Sequence, residues 1–92
     1  MNHLHTVNSS GQLSDCTRFL EDGDALLLIE DGVYSLVSDE LNNLSESVTV
    51  YALHDDINAR GLEKYAQDRS KTISYTEFIQ LCCDHPKVIN WF

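Results

Sequence analysis

The sequence predicts an α/β domain: a three-layer sandwich with a small, mostly parallel sheet and helices on both faces. Three observations lead there. Ala25, Leu26, Leu27, Leu28 and Ile29 run without a polar interruption, as a strand covered on both faces must, whereas a half-solvated strand alternates. Val48 to Leu53, VTVYAL, is a second run rich in β-branched and aromatic residues. Between and beyond these runs the apolar spacing turns helical, and strands alternating with helices imply parallel crossovers.

In chain order, His3 to Val7 reads as a first strand, followed by a loop at Asn8 to Gly11. Ser9 with Gln12 three residues later has the form of a capping box and opens a helix. Leu13, Cys16, Phe19 and Leu20 would share its buried face, and Gly23 would close it as a C-terminal cap. The central strand follows, and then Val33, Leu36 and Val37 recur at i, i+3 and i+4 in a helix capped by Asp31. Ser38 to Ser47 is polar apart from Leu41 and Leu44, and is either a frayed continuation of that helix or a loop. After the strand at 48–53, Asp55 and Asp56 favour the positive end of a short helix over Ile57 to Arg60, ended by Gly61. Leu62 to Lys71 gives no clear signal. Thr72 to Tyr75 is β-prone, Ser74 with Glu77 repeats the capping box, and a helix from Thr76 to about Cys83 presents Phe78, Leu81 and Cys82 on one face before Pro86. Val88, Ile89, Trp91 and Phe92 are apolar and call for cover, from this domain's own core or from another chain.

The totals bound the function. Ninety-two residues suit one domain spanning 1–92, and a chain this short buries only about 60 to 65% of its unfolded surface, so stabilisation by partner subunits fits. Six Lys and Arg against fifteen Asp and Glu give a net charge of −9. Nucleic-acid binding rests on cations meeting phosphates, so direct contact with tRNA or DNA is not expected, nor with an anionic membrane. No apolar run approaches the ~18 residues of a membrane span, and MNHLHTVNSSG has neither a basic start nor an apolar core, which together point to the cytoplasm. Three cysteines, two of them adjacent, imply no disulfide framework.

Ligands of open parallel sheets collect at the carboxyl ends of the strands, which selects Ser9 and Ser10, Glu30 and Asp31, and His54, Asp55 and Asp56. The acidic residues there suit a Mg²⁺ pocket of a phosphoacceptor domain, or simply helix caps and solvated charges, and the latter is the reading adopted. A phosphoacceptor would also need a lysine after a late strand, where Lys87 instead follows the last helix. A nucleophilic thiol needs a helix N-terminus or a basic neighbour. Cys16 lies well into its helix on the apolar face and reads as core, while Cys82 and Cys83 lie near a helix C-terminus beside Asp84 and read as inert. Cys82, Cys83 and His85 lack the spacing of a zinc site. His3 and His5 share one side of a strand, with solvent or a subunit contact as their expected fate. No metal, cofactor or glycine-rich phosphate loop is expected.

LHTV at Leu4 to Val7, LLLIEDGVYS at Leu26 to Ser35, VYALHDDINARGL at Val50 to Leu62, ISYTEFIQL at Ile73 to Leu81 and HPKVINW at His85 to Trp91 together resemble the TusB/DsrH family of sulfur-relay subunits, nearly end to end and in family order. The resemblance implies a DsrEFH-like α/β subunit without a catalytic residue of its own. It would join TusC/DsrF-like and TusD/DsrE-like partners in a hexamer with two copies of each. Such complexes carry persulfide sulfur toward 2-thiouridine at the tRNA wobble position, the branch adopted here, or, alternatively, in cytoplasmic sulfur oxidation. The transferring cysteine belongs chiefly to the TusD/DsrE-type subunit. Some DsrH-like members have a cysteine where Cys16 stands, which makes Cys16 the one candidate persulfide carrier. Tyr34, Trp91 and Phe92 are the first candidates for the partner-facing surface.

Overall fold

The computed structural model describes residues 2–92. Five strands, β1 (Leu4–Val7), β2 (Ala25–Leu28), β3 (Thr49–Leu53), β4 (Lys71–Ile73) and β5 (Val88–Trp91), form one sheet in the order β4-β3-β2-β1-β5. Every neighbouring pair is parallel. The unbroken apolar run does form the middle strand, and all four residues of β2 are buried. The pleat sends Leu26 and Leu28 to one face and Ala25 and Leu27 to the other, where each joins a separate cluster.

The first face is covered by α1 (Leu13–Thr17), a 3₁₀ helix over Glu30–Val37, α2 (His54–Ala59) and α3 (Glu63–Arg69), which supply Leu13, Val33, Leu36, Ile57 and Ala66 to the core. The second face is covered by α4 (Tyr75–Asp84), through Phe78, Leu81 and Cys82. The predicted three-layer α/β sandwich is therefore the observed one, with a sheet that is wholly parallel.

Several elements depart from the sequence reading. The first helix does not run on to Gly23: α1 ends at Thr17, whose hydroxyl turns back to the Ser14 carbonyl. Phe19 consequently leaves the buried face and is 62% exposed. Gly23 instead takes φ +87° in the turn that delivers Asp24 to the start of β2. Ser9 opens a short 3₁₀ turn with no side-chain cap. The predicted helix after β2 is 3₁₀ throughout, with Ile29 at its N-cap position, so Asp31 caps nothing. Ser38 leaves it in an extended conformation, and Glu40–Asn43 makes a separate 3₁₀ turn, so the 38–47 segment is no continuation. α2 begins at His54, three residues earlier than predicted, and Gly61 at φ +66° closes it in a Schellman turn, Leu62 N–H reaching the Ile57 carbonyl at 3.1 Å. The silent stretch 62–71 holds α3, and the apolar tail is β5, paired to β1 along its length. The second capping box is complete: Glu77 N–H donates to the Ser74 hydroxyl at 3.1 Å and Ser74 N–H to the Glu77 carboxylate at 2.9 Å.

Candidate functional site

At the carboxyl ends of β2 and β3 the predicted acidic residues do converge, but on a cation of the chain itself. Arg60 holds Asp31 through Nε at 3.0 Å and Nη2 at 2.9 Å, and Asp56 through Nη1 at 3.4 Å. Its guanidinium stays protonated with added force, chiefly through the Asp31 hydrogen bond, and lies 5.9 Å from the centre of the Tyr34 ring. The other Asp56 oxygen accepts from the Glu30 amide at 2.7 Å, which steadies Glu30 at φ +49°. A Mg²⁺ ion would need carboxylate lone pairs that Arg60 already occupies. Asp55 points to solvent beside His54, 3.5 Å away, and does not cap α2, whose N-cap position is Leu53. Among the described residues no group of three His, Cys, Asp or Glu side chains is placed to hold a metal. Ser9 and Ser10 stand at the end of β1 as part of the 3₁₀ turn alone.

Cys16 is fully buried with Leu13, Val7 and Leu26. Burial first, and the negative charge of Asp24 second, push its thiol up to about 12. At neutral pH only about one molecule in 10⁵ would hold the thiolate that attacks sulfur. Cys82 is half-buried against the second face, and its thiol is raised by that burial and then by Cys83, while Cys83 is exposed. All three sulfurs are unbridged.

A buried polar cluster with no local signature in the sequence lies at the other end of β2. Asp24 is buried at the start of β2 and accepts from the His3 amide at 2.9 Å, the Glu21 amide at 3.0 Å and His5 Nε2 at 3.2 Å. Burial works against its charge, yet these donors together hold the carboxyl below its ordinary range. The other His5 nitrogen, Nδ1, accepts from the Trp91 indole N–H at 3.1 Å. His5 therefore faces neither solvent nor another chain, as its strand position had suggested, but is 1% exposed inside this one. Its partners lie 19 and 86 residues away, a separation invisible to local pattern. His3 remains at the rim, 3.8 Å from Asp24.

The three aromatic candidates differ. Tyr34 is 44% exposed and carries Arg60; Phe92 is 87% exposed; Trp91 is half-buried, its N–H turned inward and its ring 5.4 Å from the exposed Phe19. Among the described residues no helix is long and apolar enough to cross a membrane.

With this geometry in place, comparison with known proteins gives one answer. Residues 6–88 match the family model described as DsrH like protein. Protein TusB of Pectobacterium atrosepticum is 38% identical, over 96% of this chain and 99% of the relative. Protein TusB of Salmonella arizonae is 41% identical and Protein TusB of Escherichia coli 38%, each with the same coverage of both chains. The fold, the order of its segments and these full-length likenesses agree: the chain belongs to the TusB/DsrH family.

Proposed function

We propose that this chain is a non-catalytic subunit of a heteromeric sulfur-relay complex that supports 2-thiolation of the wobble uridine in tRNA, working with TusC-like and TusD-like partners, two copies of each subunit per hexamer. The observation that carries the reading is the state of Cys16, enclosed by the core with its thiol pushed up to about 12. A persulfide carrier has to meet its donor as a thiolate, and this sulfur has neither access nor charge. The net charge of −9 argues against direct tRNA contact, which leaves protein contact as the contribution. Family membership supports the sulfur-relay setting, and the exposed aromatic side chains Tyr34 and Phe92, with the outer edge of Trp91, supply a partner-facing surface.

The test has two arms. Co-expressed with TusC-like and TusD-like subunits, the chain should elute in one stable complex, and elution as an indifferent monomer would overturn the reading. The isolated folded chain, given a persulfide donor at neutral pH, should gain sulfur at Cys83 if anywhere. Selective loading at Cys16, abolished in Cys16→Ser, would make the chain a carrier instead.

A further inference from the structure

Beyond the charge that Asp24 turns on Cys16, the proposed function leaves the hydrogen-bond chain Asp24–His5–Trp91 unused. An indole N–H can only donate. His5 Nδ1, 3.1 Å from it, is therefore the bare nitrogen, and the ring hydrogen resides on Nε2, 3.2 Å from Asp24. Asp24 in turn accepts from the His3 and Glu21 amides. Every hydrogen in the chain has its acceptor, and the bonding is complete only while the His5 ring is neutral.

A proton added to His5 can go nowhere but Nδ1. There it sets two N–H donors head to head across 3.1 Å, and a ring that is 1% exposed has no room to step back. On the other side of the ring the same proton turns the hydrogen bond with Asp24 into an ion pair, which is the stronger contact. The imidazolium keeps Asp24 and repels Trp91. The indole is the side that can yield, because it is half-buried and belongs to β5, an edge strand paired only with β1.

Among the described residues few other groups could give the same response. The turn before β2 brings Asp24, whose carboxyl lies below its ordinary range and so stays ionised between about pH 5 and about pH 8. Glu21, in that turn, reaches the cluster with its amide while its side chain is exposed. α1 brings Cys16, whose thiol, pushed up to about 12, stays neutral over the same range. β5 carries no titratable side chain. His3, at the rim 3.8 Å from Asp24, is the remaining histidine near the cluster.

We propose that the His5–Trp91 hydrogen bond is a proton-operated latch on β5: neutral His5 holds the Trp91 indole inward, and protonated His5 keeps Asp24 and releases the indole with the end of the strand. Trp91 is the chain's single tryptophan and reports on itself. In the full chain titrated from about pH 8 to about pH 5, nitrogen shifts of the His5 ring should pass from hydrogen on Nε2 alone to hydrogen on both nitrogens. Trp91 emission should move to the red with the same midpoint, as the indole turns to water. His5→Gln can still donate to Asp24 and accept from Trp91 but takes up no proton, so its emission should stay fixed. His3→Gln should leave the shift in place. Trp91→Phe removes the opposing donor and should raise the proton affinity of His5 about three- to tenfold, read from the ring nitrogens and independent of how His5→Gln folds.

Hydrogen on Nδ1 of the neutral ring would overturn the latch, as would a ring that stays neutral down to about pH 5. So would protonation without a shift in emission, a shift that persists in His5→Gln or vanishes in His3→Gln, or an unchanged proton affinity in Trp91→Phe.

Discussion

Two groups of acidic residues sit at opposite ends of β2, and they differ in nearly every physical respect. Asp31 and Asp56, past the carboxyl end, are balanced by the cationic side chain of Arg60, and Asp31 is 66% exposed. Asp24, before the amino end, is shut away from water and balanced by two backbone amides and a histidine. In sequence the first group looks like chemistry and the second like a turn. The structure reverses their weight, because a carboxylate costs most, and organises most, where water cannot screen it. A surface ion pair can be lost with little consequence; a buried carboxylate fixes the donors around it.

The largest effect should come from Asp24→Ala. It leaves the His3 and Glu21 amides and His5 Nε2 without their acceptor, and breaking such a buried set costs about 3 to 5 kcal/mol, out of about 5 to 14 for a chain of this size. Urea denaturation measures it; a loss below about 1 kcal/mol would abolish the contrast between the two ends. The acid limb sharpens the point. Because the folded-state pKa of Asp24 lies below its ordinary 3.8, the unfolded chain takes up the proton first as pH falls. Its contribution is therefore full above about 3.8 and disappears as pH drops through the lower folded value. Asp24→Asn should flatten the fall in urea midpoint across that window, and an unchanged slope would assign acid sensitivity to other carboxylates.

Next in size is Gly32→Ala, which asks what holds the other end together if not charge. A Cβ on Gly32 would fall 2.0 Å from the Val7 carbonyl oxygen and 2.7 Å from its carbon. Both are backbone atoms of β1, which cannot swing aside, and the Ile29 amide bonds that same oxygen at 3.0 Å. The 3₁₀ helix would have to lift from the sheet, at a cost of about 2 to 3 kcal/mol. A neutral result in urea denaturation would mean that this contact relaxes freely, and that the carboxyl end is held by its ion pairs after all.

The same contrast explains what could be read from the chain and what could not. β2 and β3 announce themselves because burial on both faces, or on one, is written into consecutive residues. The Ser74–Glu77 box is legible because its partners are three residues apart. α3 escapes because only Ala66 within it is buried, and its anchoring comes from Arg69 reaching the Leu36 carbonyl of a distant 3₁₀ helix and the Ser38 carbonyl just past its end. β5 escaped because a half-buried edge strand shows neither an apolar run nor clean alternation. Cys16 could be placed in the core from its neighbours Leu13 and Leu20, whereas Phe19 could not be placed outside it, since α1 stops early. The acidic candidates at the carboxyl ends are legible, but nothing local marks Arg60, the last residue of its predicted helix, as the cation between them. His5 and Asp24 depend on contacts that span the chain, and no local spacing encodes those.

Arg60→Ala is the smallest of these effects and the one that discriminates best between charge and packing at the carboxyl end. It removes both ion pairs and the contact with Tyr34 together. Pairs that reach solvent, as Asp31 does here, contribute little, since water screens them and the side chains lose freedom to form them, so about 0.5 to 1 kcal/mol should be lost. Part of that loss is repulsion left between Asp31 and Asp56, and it should shrink as salt shortens the Debye length from about 8 Å at physiological ionic strength toward about 3 Å at 1 M. Urea midpoints of this variant and of Asp24→Ala, each measured in low and high salt, set the two ends side by side. The Arg60 deficit should narrow with salt while the Asp24 deficit, screened by protein and not by ions, should persist. If both narrow together, the Asp24 cluster is open to solvent and the difference between the two ends of β2 is one of degree.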